Sequence, residues 1–473
     1  MNVPAQTKTR SETSEGRVAR WGLALADWSE KWFPDALVFA FLGVVVVFVI
    51  ALLTGEQAGN VATQAGKNFW TLVPFTMQMA MVIIGGYIIA STPLVRRAIG
   101  KLAAMPSTPR GAIAMVALCA TLTSLLSWGF SGIFCCFLTR ELTKRMPGLD
   151  YRACGAASYL GTGSVWAMGL SSSAAMLMAT RSSMPASLYE ISGLIPLSQT
   201  LLLWQSIVTT LIVIASTVTV AYLSAPSAAN ARTAESYGIS FAEPTAEKEV
   251  RTRPGEWLEF SPVLNVLVAA MLVWYLVGVF RTSERGALAA LDLNTYNLIF
   301  MTAALLLHWR PKSFLKSVAD AIPATGGVLI QFPFYAMIFG IITGTGLSEK
   351  IAHMFVSISS HETYGLLAAA YSAVLGLFIP SGGSKWIIEA PYVLQAAIAH
   401  QVHMGWVVQI YNIAEALPNL INPFWMLPLL GILKLRARDL VGYTALQLAV
   451  NAPIVFFLCW VFARSMPFVP PVK

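Results

Sequence analysis

The chain has 473 residues, 56% of them hydrophobic and only 11% charged, with a mean hydropathy of +0.66. Soluble chains carry about 25% charged residues and divide into domains beyond roughly 250–300 residues, so a soluble enzyme and a disordered chain are excluded, and a nucleic-acid binder is not expected. The net charge of +8, from 31 Lys and Arg against 23 Asp and Glu, reads instead as cations sorted across a membrane.

Residues 1–35 form a polar cytoplasmic and interfacial segment without a signal-peptide core. Within it, residues 18–33 predict an amphipathic helix with Trp21, Trp28 and Trp32 as interface anchors. A bilayer core needs about 20 apolar residues per helix. Ala36–Leu53 carries no charge, and residues 68–90, 200–223, 260–280, 294–309, 322–346 and 441–463 read as further spans. Five cysteines lie in apolar stretches without metal-ligand spacing and read as small buried hydrophobes. The polar stretch 224–256, with Pro226, Pro244 and Pro254, is a cytoplasmic linker. It separates a first transmembrane repeat, residues 36–223, from a connecting helix at 257–285 and a second repeat at 286–473.

Each repeat contains a hairpin and a broken span. Residues 111–145 are apolar but interrupted by Ser127-Trp128-Gly129-Phe130-Ser131-Gly132. Arg96, Arg97, Lys101 and Arg110 flank their start, and Arg140, Lys144 and Arg145 their end. Two basic ends mark one side of the membrane, so a re-entrant hairpin from the cytoplasm is expected. Residues 365–400 repeat the pattern, interrupted at Pro380-Ser381-Gly382-Gly383-Ser384-Lys385-Trp386. A broken span follows each hairpin: 151–180, interrupted at Gly161-Thr162-Gly163-Ser164 and at Gly169–Ser173, and 405–433, interrupted at Pro418–Pro423. With the N-terminus inside, five spans separate the hairpins, so the second enters from outside. The loop at 348–363, with one Lys and no Arg, agrees with that side. The expected fold is therefore an all-α polytopic membrane protein of inverted repeats, with two re-entrant hairpins and two discontinuous helices.

Unwound backbone at four matched Gly/Ser clusters frees N–H groups for an anion and carbonyls for a cation. Ser127, Trp128, Gly129, Ser131, Ser171, Ser172, Ser381, Gly382, Gly383, Ser384, Lys385 and Trp386 are the candidate substrate-binding residues. Lys385 and Glu389, one helical turn apart, can form an ion pair. Glu389, with Asn412, Glu415, Asn419 and Asn422 on the second broken span, are the candidate ion-coupling residues, for H⁺ or for Na⁺ at the hairpin tips. A structural Lys–Glu pair and a buried Glu satisfied by backbone are the alternatives. Trp128, Trp166, Trp386 and Trp425 stand beside the breaks as walls of an apolar pocket. No Walker A, His-Glu-x-x-His or Gly-x-Ser-x-Gly sequence occurs, so neither an ATP-driven pump nor an intramembrane hydrolase is expected. No cofactor or resident metal is expected either. His400 and His403 are expected to be solvated near the outer surface.

Several stretches resemble the short-chain fatty acid transporter family over nearly the whole chain: Ser127–Gly132, GLIPL at 193–197, LIQFPFYAMI at 329–338, PSGGSKW at 380–386, NPFWMLP at 422–428 and RDLVGY at 438–443. The resemblance implies membership of the ion-transporter superfamily, typically homodimers with paired re-entrant hairpins and an elevator-like or rocking carrier. It implies secondary active transport of monocarboxylates such as butyrate or acetoacetate in a bacterial cytoplasmic membrane, coupled to H⁺ or Na⁺; for such a substrate the carboxylate is expected on the hairpin-tip amides and the acyl chain against Trp128, Trp386 or Phe424. A dicarboxylate carrier and a passive anion channel remain alternatives. The outer tip departs from the family's usual Ser-Gly-Gly-Gly followed by His or Gln, with Gln one turn on: this chain has Ser384, Lys385 and Glu389 there. The inner tip has Ser127 where Asn is common.

Overall fold

The computed structural model describes residues 17–32, 36–70, 73–179, 181, 184, 186–240, 251–283, 290, 293–378 and 382–470. All regular elements among them are helical. The chain opens with α1 (Arg17–Trp32), α2 (Ala36–Leu53), α3 (Ala58–Asn68), α4 (Val73–Ser91) and α5 (Pro93–Ala103). Next come α6 (Pro109–Leu126) and α7 (Trp128–Arg145), then α8 (Tyr151–Ser164) and α9 (Ser173–Ala179), joined through a 3-10 turn at Trp166–Met168. α10 (Ala186–Ser192), α11 (Trp204–Ser224), α12 (Glu256–Phe260), α13 (Val263–Thr282), α14 (Leu293–His308) and α15 (Pro311–Ala321) lead to α16 (Gly326–Gly344) and α17 (Leu347–Ile358). α18 (Tyr364–Phe378) and α19 (Gly382–Ala399) precede α20 (Met404–Ala416), α21 (Leu427–Leu433) and the long α22 (Ala437–Ser465).

Among the described residues, α6, α11, α13, the run 311–342 and α22 are long and apolar enough to cross a bilayer; α4 and α5, bent by 73° at their junction, make a sixth if they are counted as one span. α2 is uncharged throughout its 18 residues; at 1.5 Å per residue it spans roughly 27 Å, close to a hydrocarbon core. α1 packs along α22 and α11 with Trp21, Trp28 and Trp32 exposed, as its amphipathic pattern predicts.

The structure corrects four expectations. Gly161–Ser164 is not an interruption: α8 runs through it to Ser164, and the chain unwinds only afterwards. The glycines serve close approach. A Cβ at Gly161 would lie 2.1 Å from the Ala120 carbonyl oxygen, and one at Gly163 2.4 Å from Leu420. The expected loop at 348–363 contains α17, whose Lys350 donates to the Thr54 carbonyl at 3.1 Å and pairs with Glu56. The span expected from 322 starts with a 3-10 turn, Ile322–Thr325, continuing from α15. His403 is buried rather than solvated: its Nδ1 accepts from the Trp406 N–H at 3.1 Å and caps α20.

The polar linker is partly docked. The Arg232 N–H donates to Asp150 at 3.0 Å, the Tyr151 N–H donates to the Arg232 carbonyl at 2.8 Å, and the Tyr237 hydroxyl reaches Asp439. Asp150 also caps α8 through the Ala153 N–H at 2.8 Å. Four cysteines are buried and Cys119 is half-buried; all are free. Two apolar cores result, one around α6–α8, α16 and α21, the other around α18–α20 and α22. The helix breaks meet between them.

Candidate functional site

The first hairpin tip is made by Ser127. Its extended backbone ends α6, and its hydroxyl accepts from the Phe130 N–H at 3.1 Å, capping α7. The Tyr296 hydroxyl of α14 donates to the same oxygen. Ser131 turns back into the hairpin: it donates to the Ala120 carbonyl and accepts from Thr123, each at 2.8 Å. Gly129 faces α4, where a Cβ would lie 1.9 Å from Val82. Both residues hold the tip together rather than line its open side.

The unwound segment after α8 lies against this tip. The Leu170 N–H donates to the Leu125 carbonyl at 2.7 Å. Ser171 donates to the Ser124 carbonyl at 3.1 Å and accepts from the Trp128 N–H at 3.2 Å. Ser172 caps α9 through the Ala175 N–H and donates to Asn412 Oδ1 at 3.0 Å. Asn412 in turn donates to Gln409 at 2.6 Å. The two broken helices also cross directly: the Tyr159 hydroxyl donates to the Asn419 carbonyl at 2.9 Å, and the Asn419 amide to the Thr162 carbonyl at 3.3 Å.

The second tip opens α19. Gly382 sits where a Cβ would lie 2.8 Å from the Trp166 ring and 3.4 Å from Glu415 Oε2. Its carbonyl accepts from the Tyr411 hydroxyl at 2.5 Å. Gly383 lies beside Ser173, the first residue of α9. Ser381 and the Ser384 side chain lie outside the described residues. Lys385 is fully buried. Its ammonium donates to the Ser372 carbonyl at 2.8 Å, lies 4.5 Å from the Tyr411 ring centroid and 3.9 Å from Glu389 Oε2. The Ser372 hydroxyl donates to the other Glu389 oxygen. The Trp386 ring stacks obliquely on Tyr411, with centroids 4.6 Å apart. Asn422 donates to the Leu377 carbonyl at 3.3 Å, bracing the end of α18.

The structure thus brings together Ser127, Trp128, Ser171, Ser172, Gly382, Gly383, Lys385, Trp386, Glu389, Asn412, Glu415 and Asn419, drawn from both halves of the chain. Sequence reading underrated Trp166 and missed Tyr411, Ser372 and Tyr159. Trp166 packs with Ala167, Ala416 and Trp128, and Trp128 meets Trp425 edge-to-face at 5.0 Å. Tyr411 stands one turn before Glu415, a spacing the sequence does show. The buried Trp166 and Trp386 indole N–H groups, Glu389 Oε2 and Glu415 Oε2 have no hydrogen-bond partner, so donors and acceptors are left unused around the second tip. Among the described residues no cluster of metal-ligand type occurs.

An all-helical chain with several bilayer-length apolar helices and a buried polar centre where broken helices meet is a multi-pass membrane transporter. It belongs to the short chain fatty acid transporter family, whose model matches residues 17–463. It is 32% identical over 443 residues to a chain of Escherichia coli K12 provisionally named a short-chain fatty acid transporter, covering 93% of this chain and 98% of that one. A Haemophilus influenzae Rd chain with the same provisional name is 29% identical over 445 residues, covering 93% and 98%. Among solved structures, the Alcanivorax borkumensis YdaH transporter matches at 15% identity and TM-score 0.45, covering 92% of this chain and 100% of that one. Neisseria gonorrhoeae MtrF, described as illuminating a class of antimetabolite efflux pumps, matches at 12% identity and TM-score 0.45, covering 95% and 99%.

Proposed function

We propose that the chain is a secondary active carrier of short-chain monocarboxylates of the butyrate and acetoacetate type, working across a bacterial cytoplasmic membrane. The observation that carries this reading is the convergence of two hairpin tips and two helix breaks on one buried centre that has free N–H donors. Broken helices that meet near mid-membrane provide dipole ends and unpaired backbone for an anion and its coupling ion. In this reading the short acyl chain lies against Trp128, Trp166 and Trp386 when the site opens, while the carboxylate takes N–H donors at the tips. The family and the provisional names of the relatives support this substrate class.

In the topology we favour, residues 36–223 and 286–473 are inverted repeats joined by the connecting helix at 257–285. The N-terminus is cytoplasmic and the hairpins re-enter from opposite faces. The basic feet of the first hairpin support that orientation. A homodimeric scaffold against which the hairpin-bearing units move is the matching assembly, and an H⁺ or Na⁺ gradient drives accumulation. The test is uptake into proteoliposomes of labelled acetate, butyrate, acetoacetate and succinate under imposed gradients. Saturable uptake of the monocarboxylates is expected; selective uptake of succinate would overturn the reading.

A further inference from the structure

Three ionisable side chains are enclosed together at the second tip. Lys385 and Glu389 come from α19 and Glu415 from α20; each is at most 2% exposed. A Cβ at Gly376 would lie 3.5 Å from Lys385 Nζ and 3.8 Å from the Glu415 carbonyl oxygen, and one at Gly382 3.4 Å from Glu415 Oε2, so Glu415 shares the neighbourhood of the Lys385–Glu389 pair. Its ammonium occupies a setting a bound cation would use, with the Ser372 carbonyl at 2.8 Å, a carboxylate at 3.9 Å and the Tyr411 ring face at 4.5 Å. Among the described residues the groups nearest the cluster are tyrosines: Tyr159 of α8 and Tyr411 of α20 near Glu415, and Tyr364 and Tyr371 of α18 near Glu389; α17 and α10, which also pack on α19, carry Lys350 and His353 and Tyr189 and Glu190. α9 carries no charged residue, and those of α22 lie near its ends. One cation and two carboxylates leave a net charge of minus one, and Glu389 Oε2 and Glu415 Oε2 each lack a hydrogen-bond partner; Glu389 is held by Lys385 and Ser372, and no side-chain hydrogen bond holds Glu415 Oε2. Burying an uncompensated charge is costly.

We propose that Lys385, Glu389 and Glu415 form a proton site in which the Lys385 ammonium, tethered to the chain, stands where a coupling metal cation would otherwise sit. Transport is then proton-coupled and independent of sodium. This rests on the carrier reading above and selects between its two coupling ions. Glu415 takes one proton from solvent on its carboxylate, giving a neutral carboxylic acid and a cluster of zero net charge. A substrate carboxylate enters only then, because an anion beside an unprotonated cluster would bring two uncompensated negative charges into the same enclosed space. After the substrate leaves, Glu415 releases the proton to the other side. The loaded and empty carriers carry equal charge, so the cycle moves one proton with one anion and no net charge.

The full chain in proteoliposomes tests this by two measurements. Counterflow, exchange of external labelled for excess internal unlabelled acetoacetate without any ion gradient, tests the carrier itself. Accumulation driven by an inwardly directed proton gradient in sodium-free buffer, above that of protein-free vesicles, tests the coupling. Acetoacetate is used because, as a stronger acid than butyrate, it crosses lipid less as the free acid. The wild type is expected to accumulate substrate without sodium and to gain nothing from a sodium gradient. Glu415→Gln should keep counterflow and lose gradient-driven accumulation to the protein-free level. Lys385→Gln alone, which leaves two carboxylates, should lose accumulation, and Lys385→Gln with Glu389→Gln, which restores a net charge of minus one, should regain it. Accumulation driven by sodium, or a Glu415→Gln variant that accumulates like the wild type, overturns the proposal while leaving the carrier reading intact. A double variant no better than Lys385→Gln also overturns it. Absence of counterflow for every carboxylate overturns the carrier reading, and the proton site with it.

Discussion

Gly161 gives the sharpest test of how the site is assembled. It lies in the middle of α8, where a Cβ would stand 2.1 Å from the Ala120 oxygen, 2.7 Å from the Ala120 carbonyl carbon and 2.8 Å from Ser124 Cβ. Two of these atoms are backbone of α6, so no side chain can turn aside, and α8 and α6 must separate. Overpacking of this kind costs about 1–3 kcal/mol, and a backbone obstacle places Gly161→Ala near the upper end. At roughly 1.4 kcal/mol per factor of ten, that lowers the folded-to-unfolded ratio about a hundredfold or more. Gly132, one turn beyond the first tip, has nothing within 4 Å of its Cβ position. Gly132→Ala should therefore gain about 0.5–1 kcal/mol from helix propensity alone. The assay is thermal unfolding of both variants in detergent, followed by fluorescence-detected gel filtration. Equal midpoints would refute the claim that α6 and α8 touch through Gly161.

Four further predictions concern the parts around that contact. Ser127→Ala removes the α7 cap and the Tyr296 partner and should cost about 1–2 kcal/mol, read as a lower melting midpoint. Tyr159→Phe leaves the buried Asn419 carbonyl without its donor and should cost about 1–3 kcal/mol; a midpoint unchanged from wild type would mean that the helices are not held there. Asp150→Ala removes the α8 cap and the acceptor of the Arg232 N–H, at a cost of about 1–2 kcal/mol, and limited proteolysis should cut the 225–240 segment faster. Burial holds the His403 imidazole below its ordinary value, so the unfolded chain binds the proton more readily. The His403 contribution is then complete above about pH 6.5 and falls as the pH drops below it. Melting midpoints measured between about pH 5 and 7.5 should show this slope, and His403→Asn, which keeps a cap without titrating, should flatten it.

The helix breaks were legible because Gly and Ser interrupt apolar runs that are otherwise continuous. Ser127, Gly382 and Pro418 all mark places where the chain leaves the helix or enters a new one. The bend between α4 and α5 was also written in the sequence. Thr92 caps α5 through the Val95 N–H and Pro93 occupies its first turn, a helix-start signature that the basic charge of α5 masked as a mere flank. What the chain could not reveal is which face of each break meets which. Gly161 and Gly163 have the composition of an unwound segment, yet they serve contact with α6 and Leu420. Small residues allow both uses, and only the neighbour across the gap decides between them. Ser372 carries no sequence signal at all. It matters because its carbonyl and hydroxyl fall on Lys385 and Glu389 across the hairpin. His403 was misplaced for the same reason, since its burial follows from the packing of α20 and not from its polar neighbours.

The central claim is that substrate occupies the place where the two tips and the two breaks meet. Gly383, half-buried, lies there, and a Cβ on it would meet only Ser173, at 3.4 Å, without a clash. In a Cys119→Ala background the remaining cysteines are buried, so Gly383→Cys can be labelled selectively with a small thiol reagent in proteoliposomes. Butyrate is predicted to slow that labelling several-fold, with succinate having no effect at the same concentration. Labelling that proceeds at the same rate with saturating butyrate, in a variant that still exchanges butyrate, would contradict the account.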